Sequence, residues 1–280
     1  MAFYYATASE AEACVAIVGI PLDRTSSFIP GTRFGPDVAR IGADNIESFS
    51  PFQLRDVNTV AVCDQGNIAL EYARPTAPLE QIAATTRRNL AAGRRQVAIG
   101  GEHTITPAIV GELARSLTGL HVIQFDAHSD LRDDFLGEKN CHATAMRRVL
   151  DHVPREQLFQ LGIRSFSAPA EIGETNLTAF EVLKPISAIR KAIDTRPVYI
   201  TIDVDVLDPA FLSEVQTPQP GGCSYLELAR ALAGLAGLDI VGVDIVEFCP
   251  RNSQPGPGAA LVAELVREAV LLVSVDRAPA

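Results

Sequence analysis

Short apolar runs alternate with longer amphipathic segments along the 280 residues of the chain. Several runs are apolar at nearly every position, which is typical of parallel strands covered on both faces of a sheet. The pattern predicts strands at Cys14–Ile20, Val60–Cys63, Val97–Ile99, Leu120–Phe125, Leu158–Ile163, Val198–Ile202 and Ile240–Val246.

Helical character fills several of the segments between these runs. Pro107 stands where a helix would begin, and Ser224 is a plausible N-cap residue. The predicted helices are Leu79–Ala92, Thr106–Leu117, Ala143–Leu150 and Tyr225–Leu235. Alternating strands and helices predict an α/β fold with a parallel sheet. Since no Pro/Gly-rich stretch is long enough for an interdomain linker, we expect one domain over residues 1–280.

Composition narrows the class of partner. The 34 acidic and 24 basic residues give a formal net charge of −10, which argues against nucleic acid and favours cationic ligands. Solubility alone accounts for the same charge. The apolar runs are shorter than the roughly 18–20 residues of a membrane span, so no membrane partner is expected. Five scattered cysteines and the absence of a basic signal-peptide region predict a cytoplasmic protein with reduced thiols.

Acidic and histidine residues follow four of the predicted strands directly. Ligands bind at the carboxyl ends of parallel strands, so these side chains are expected at one edge of the sheet. They are His103, Asp126, His128, Asp130, Asp203, Asp205 and Glu247.

Two of these groups have the spacing of metal-ligand motifs. Asp126, His128 and Asp130 lie two residues apart, on one side of an extended chain, and Asp203 and Asp205 repeat the spacing. Either motif alone is more often a solvated turn. Together, at the ends of buried strands, the carboxylates would repel one another unless a cation neutralised them.

The donor types indicate which cation. Together with His103, the two motifs offer two imidazoles and four carboxylates and no thiolate. This set suits Mn²⁺, with Co²⁺, Ni²⁺ or Zn²⁺ as alternatives. These six donors, His103 included, exceed what one catalytic ion with an open position needs, so two ions sharing carboxylates are predicted. Two divalent ions and four carboxylates sum to zero charge.

At these residues the sequence resembles the arginase/agmatinase (ureohydrolase) family. Six blocks match in the family's order, and from the first to the last they span most of the chain. They are PGTRFGP (Pro30–Pro36), GGEH (Gly100–His103), DAHSD (Asp126–Asp130), TIDVDVLDPAF (Thr201–Phe211), TPQPGG (Thr217–Gly222) and DIVEFCP (Asp244–Pro250). The resemblance implies a three-layer α/β/α fold with a mostly parallel sheet, and assembly into trimers or hexamers.

The resemblance also implies a role for each residue. One manganese ion would be held by His103, Asp126, Asp130 and Asp203, and the other by Asp126, His128, Asp203 and Asp205. Glu247 would pair with a guanidinium group and Thr217 would hydrogen-bond the substrate. Asp130 would orient the attacking water, and His142 would shuttle protons.

Within the family, the sequence favours a decarboxylated cationic substrate, agmatine or an aminopropylagmatine, cleaved to urea and a polyamine. Ser167 stands where arginases place an acidic residue for the substrate's α-amino group. The alternatives are another guanidino compound (guanidinobutyrate, formiminoglutamate or arginine) and a non-catalytic homologue. An acidic substrate would need a cationic pocket residue, for which Arg24, Arg33 and Arg132 are candidates.

Three local features carry further expectations. Gly100 and Gly101 before His103 are expected to permit a tight backbone turn. Glu102 replaces an aspartate common among relatives, and little effect is expected from that change. The segment Ser213–Gln216 replaces a Pro-Gly-Thr-Gly run and is expected to reshape the pocket.

Overall fold

The computed structural model describes residues 1–173, 175–251 and 256–274. Ten strands are assigned in this part of the chain: β1 (Val15–Ile20), β2 (Phe49–Ser50), β3 (Arg55–Asp56), β4 (Val62–Asn67), β5 (Arg95–Gly100), β6 (His121–Phe125), β7 (Leu158–Ile163), β8 (Asn176–Ala179), β9 (Pro197–Asp203) and β10 (Asp239–Val246). Eight of them form one sheet in the order β4-β1-β5-β10-β9-β6-β7-β8, with parallel pairing throughout. Strands β2 and β3 form a separate antiparallel pair.

Helices cover both faces of this sheet. They are α1 (Gly35–Gly42), α2 (Ala77–Ala91), α3 (Ile105–Ser116), α4 (Ala145–Val149), α5 (Ile186–Ile193), α6 (Tyr225–Gly234) and α7 (Pro257–Val273). Side chains of α2, α3 and α4 share one apolar cluster with Ala98, while those of α1, α5, α6 and α7 share another with Val97 and Ile99. Because successive residues of β5 point to opposite faces, the sheet separates two cores. The predicted three-layer α/β/α architecture is confirmed.

The strand order places the candidate site. Strands β5, β10, β9 and β6 are neighbours in the middle of the sheet, although they are far apart in sequence. They are the four strands whose carboxyl ends lead into the predicted donors. Parallel pairing puts all four ends at the same edge.

The predicted elements are all present, most of them with shifted ends, whereas Leu158–Ile163 has the predicted bounds. The strand expected at Val60–Cys63 lies at Val62–Asn67. Pro107 is in the first turn of α3. Ser224 caps α6 with its hydroxyl oxygen, which accepts from the Glu227 N–H. Six of these strands and helices went unpredicted: β2, β3, β8, α1, α5 and α7.

A buried ion pair joins α1 to the edge of the sheet. Arg40 donates from Nε and Nη2 to the two carboxylate oxygens of Asp64, at 2.9 Å each, and from Nη1 to Asn67 Oδ1 at 2.6 Å. The side chains of Arg40 and Asp64 are each 1% exposed. This bidentate pairing satisfies both charges away from water.

None of the helices in the described part of the chain has the length and apolarity needed to cross a membrane.

Candidate metal centre and active site

The six predicted donors lie together at the central edge of the sheet. The loop after β5 supplies one imidazole, the segment after β6 supplies three side chains, and the end of β9 supplies two. Two triads, each with ligand atoms within 4.8 Å of one another, could each hold a metal ion: His103 with Asp126 and Asp203, and Asp126 with His128 and Asp205.

His103 Nδ1 faces three carboxylates at once. It lies 3.1 Å from Asp126 Oδ2, 3.2 Å from Asp130 Oδ2 and 3.4 Å from Asp203 Oδ2. None of these oxygens is aligned to make a hydrogen bond, and Nδ1 is a buried polar atom without a partner. Two atoms that bind one octahedral ion at about 2.1 Å lie about 3 Å apart, so this spacing fits donors of a shared ion.

His128 faces the other side of the same aspartate. Its Nδ1 lies 2.9 Å from Asp205 Oδ2 and 3.6 Å from Asp126 Oδ1. Asp126 therefore presents one carboxylate oxygen to each imidazole, which is the arrangement of a carboxylate that bridges two ions. Its oxygens also accept from the His128 N–H at 2.6 Å and from Gln124 Nε2 at 2.6 Å, which fix its orientation.

Side chains behind His103 fix which of its nitrogens points to the carboxylates. Thr201 on β9 donates its hydroxyl hydrogen to Asp244 Oδ1 at 2.5 Å, so its oxygen accepts from His103 Nε2–H at 2.9 Å. When the ring is neutral, as a metal ligand must be, this contact keeps its lone pair on Nδ1. Thr106 and Tyr199 also donate to Asp244, each at 2.8 Å.

The electrostatics of the cluster favour a cation. Burial raises the pKa of Asp203 well above its usual range, and the Asp205 and Asp126 carboxylates add to the effect. Burial and the Asp126 charge raise the pKa of Asp130 to about 6. Although burial opposes it, the surrounding carboxylates raise the pKa of His103 well above its ordinary value. Neighbouring carboxylates contribute to each of these shifts, and divalent ions would neutralise that crowded negative charge.

Glu247 lies beside the donor cluster and is 2% exposed. Its Oε1 accepts from the His103 backbone N–H at 2.7 Å, and its Oε2 accepts from Gln216 Nε2 at 2.7 Å. Each oxygen retains a second lone pair for another donor. Burial raises the pKa of Glu247 to about 8, so a cationic partner would stabilise its charged form.

Two of the site residues adopt a left-handed backbone. Asp130 has φ 53° and Glu247 has φ 67°. A non-glycine residue in this region costs about 1–3 kcal/mol, and such residues cluster at functional sites. Backbone hydrogen bonds hold both in place, from Arg147 N to Asp130 O at 3.0 Å and from Glu247 N to Gly101 O at 2.9 Å.

A cavity of about 160 Å³ opens onto the cluster. His142 and Thr217 line it together with Asp130 and Glu247, and so do two further predicted donors, His128 and Asp203. The Thr217 hydroxyl lies 3.4 Å from Asp205 Oδ2. The neighbouring Cys141 is buried, and this burial raises the pKa of its thiol.

Three expectations from the sequence need correction or addition. Neither Gly100 nor Gly101 has positive φ, so they do not form a left-handed turn. A Cβ at Gly101 would lie 1.8 Å from Leu22 O, and close backbone approach is what requires glycine. Glu102, where the change from aspartate was expected to have little effect, is fully buried and accepts from four donors. Gln216, in the segment expected to reshape the pocket, donates a hydrogen bond from its side-chain amide to Glu247.

Comparisons with known proteins agree with this geometry. The Arginase family model matches residues 13–272. The chain is 35% identical to an agmatinase of Bacillus anthracis, over 93% of this chain and 92% of that one. It is 30% identical to a guanidinobutyrase of Pseudomonas aeruginosa, over 90% and 84%. A putative agmatinase from Clostridium difficile superimposes with a TM-score of 0.90 at 30% identity, covering 95% and 99%. The chain therefore belongs to the arginase family, whose members hydrolyse guanidino groups.

Proposed function

We propose that this enzyme hydrolyses the guanidinium group of agmatine or an aminopropylagmatine, releasing urea and a polyamine with the help of two Mn²⁺ ions. The observation that supports this most is the convergence of two histidines and four aspartates beside Glu247. Four carboxylates balance two divalent ions, and the additional negative charge of Glu247 suits a cationic substrate.

The contacts support a specific set of ligands. One ion would be held by His103, Asp126, Asp130 and Asp203. The nearest carboxylate oxygens of the three aspartates lie 3.1–3.4 Å from His103 Nδ1. The other would be held by His128 and Asp205 with Asp126 and Asp203 as bridges. When bound, the ions would lower the pKa of a shared water, so that it acts as a nucleophile near neutral pH.

The chain's own residues would bind, orient and move protons. Glu247 would bind the guanidinium through the lone pairs left free by His103 and Gln216, and so hold its carbon in line for attack. Thr217, which lines the same cavity, would hydrogen-bond the substrate. Asp130 would orient the water, accept its proton and pass that proton to the departing amine. His142 would accept a proton from the next water and so regenerate the nucleophile.

One observation favours a second candidate, a guanidino acid such as guanidinobutyrate. Arg132 lines the same cavity, with its guanidinium carbon 5.3 Å from the centroid of the Phe135 ring. A cation there could pair with a carboxylate at the far end of a substrate. Of the other two candidate cations, Arg24 donates to Pro75 O and Arg33 pairs with Asp23.

Urea release tests the proposal. The full chain, with and without Mn²⁺, is assayed on agmatine, aminopropylagmatine, arginine and guanidinobutyrate. We expect Mn²⁺-dependent activity with the highest kcat/KM on one of the first two. Fastest turnover of guanidinobutyrate would favour the second candidate, and loss of that preference in Arg132→Ala would assign it to Arg132. Absence of urea from every compound would overturn the hydrolase assignment.

A further inference from the structure

Glu102 is a fully buried carboxylate that lies outside the donor cluster. Its Oε2 accepts from the backbone N–H groups of Arg24 at 2.9 Å and Thr25 at 2.6 Å. Its Oε1 accepts from the hydroxyls of Thr25 at 3.0 Å and Thr104 at 2.8 Å. Four donors converge on it, which is the environment of a carboxylate acting only as an acceptor.

The Thr25 hydroxyl connects this carboxylate to His142. A hydroxyl has one hydrogen, and the Thr25 hydrogen is donated to Glu102 Oε1. The Thr25 oxygen is therefore an acceptor towards its other neighbours, His142 Nδ1 at 3.2 Å and the His142 backbone N–H at 3.2 Å. His142 Nδ1 must then be the protonated nitrogen of the ring.

The other ring nitrogen lies beside Ser27, which lines the same cavity as His142. Burial lowers the pKa of His142, so the ring is neutral near neutral pH and the position of its single proton matters. With that proton on Nδ1, the lone pair is on Nε2, 3.2 Å from Ser27 Oγ. Phe135 packs edge-on against the ring, with centroids 5.8 Å apart, and limits its rotation.

We propose that Glu102 and Thr25 form a positioning pair that keeps the His142 proton on Nδ1, so that Nε2 is the atom exchanging protons at the active site. This inference rests on the proposed role of His142. The hydrogen-bonded chain runs from Glu102 through Thr25 to His142 and includes none of the candidate metal ligands. Thr25 and Glu102 therefore act only through His142. The same loop is tied to Glu247, because Ser27 N donates to Gln216 Oε1 at 2.8 Å.

The test compares two substitutions of Thr25 in the Mn²⁺-loaded full chain, on the fastest substrate of the panel above. Thr25→Val keeps the shape and the backbone N–H but removes the hydroxyl, so His142 loses its fixed tautomer. We expect kcat to fall about tenfold, a part of the 10²–10⁴ that a positioned acid or base contributes, with KM within about twofold. Thr25→Ser keeps the hydroxyl and should restore kcat.

Thr104→Val is the matched control. It removes the other hydroxyl that donates to Glu102 Oε1 but no partner of His142, and kcat should stay within about twofold of wild type. An equal loss of kcat in this control would overturn the inference, because the effect would then belong to the burial of Glu102 rather than to the His142 tautomer.

A His142→Ala background separates positioning from general structural support. If Thr25 acts through the imidazole, Thr25→Val should cause no further loss of kcat once the ring is absent. A further tenfold loss there would overturn the inference. If His142→Ala is slow but Thr25→Val is not, only the positioning pair is wrong. If His142→Ala turns over like wild type, the proposed proton shuttle and the positioning pair both fail.

Discussion

Thr201→Val removes a hydrogen bond that orients His103 without changing any of the proposed metal ligands. The hydroxyl accepts from His103 Nε2–H at 2.9 Å and donates to Asp244 at 2.5 Å, deep in the sheet. Valine has nearly the same shape, so the change removes two hydrogen bonds without opening a cavity. Every proposed ligand atom remains in place.

The magnitude follows from the hydrogen bond that His103 loses. A buried N–H without an acceptor costs about 1–3 kcal/mol. The oriented partner of a metal-binding histidine contributes about ten- to hundredfold in metal affinity. That factor corresponds to about 1.4–2.8 kcal/mol, so two independent arguments give the same range.

Calorimetric titration of the metal-free chain with Mn²⁺ measures the effect. We expect Thr201→Val to lower the Mn²⁺ affinity of the site beside His103 about ten- to hundredfold. The affinity of the site beside His128 should stay within about threefold of wild type. Thr201→Ser, which retains the hydroxyl, should bind like wild type. Unchanged affinity at both sites in Thr201→Val would refute the claim that this hydroxyl fixes the His103 tautomer.

Three further substitutions test separate parts of the account. Glu247→Ala should leave the Mn²⁺ content unchanged but raise KM at least about tenfold; loss of metal there would show that its role is misassigned. Asp130→Asn should lower kcat at least about a hundredfold and weaken Mn²⁺ binding, whereas near-normal turnover contradicts its role. Arg40→Leu leaves Asp64 buried without its cation and should lower the free energy of unfolding by about 3–5 kcal/mol in denaturant titrations. A loss below about 1 kcal/mol would mean that water reaches Asp64.

The layer architecture was predictable because buried parallel strands are apolar on both faces. The same runs also predicted the site, since the donors directly follow β5, β6, β9 and β10. The order of the strands became evident only from the structure, which places the ends of these four strands side by side.

Three of the unpredicted elements carry a weaker pattern. Strand β8 has only four residues, two of them polar, and lies at the sheet edge. Helix α7 is apolar on nearly all sides, because it is buried against both α1 and β10, and its sequence shows little amphipathic period. Helix α1 begins Gly-Pro and ends in glycine, which gives it weak helical propensity.

The supporting residues of the site were also beyond sequence reasoning. Thr25 and His142 are 117 positions apart, and Gln216 and Glu247 are 31 apart. A lone hydroxyl or amide belongs to no spacing motif, so these pairs become evident only once the fold brings them together. The one indication in the sequence was local, since Glu102 and the segment Ser213–Gln216 were the two departures noted from the family resemblance.

The central claim is that this edge of the sheet binds two divalent ions that share carboxylates. Anomalous diffraction at the manganese absorption edge, from crystals of the full chain grown with Mn²⁺, tests it directly. We expect two peaks about 3.5–4 Å apart, one beside His103 and one beside His128, with Asp126 between them. A single peak, or peaks away from these histidines, would contradict the account.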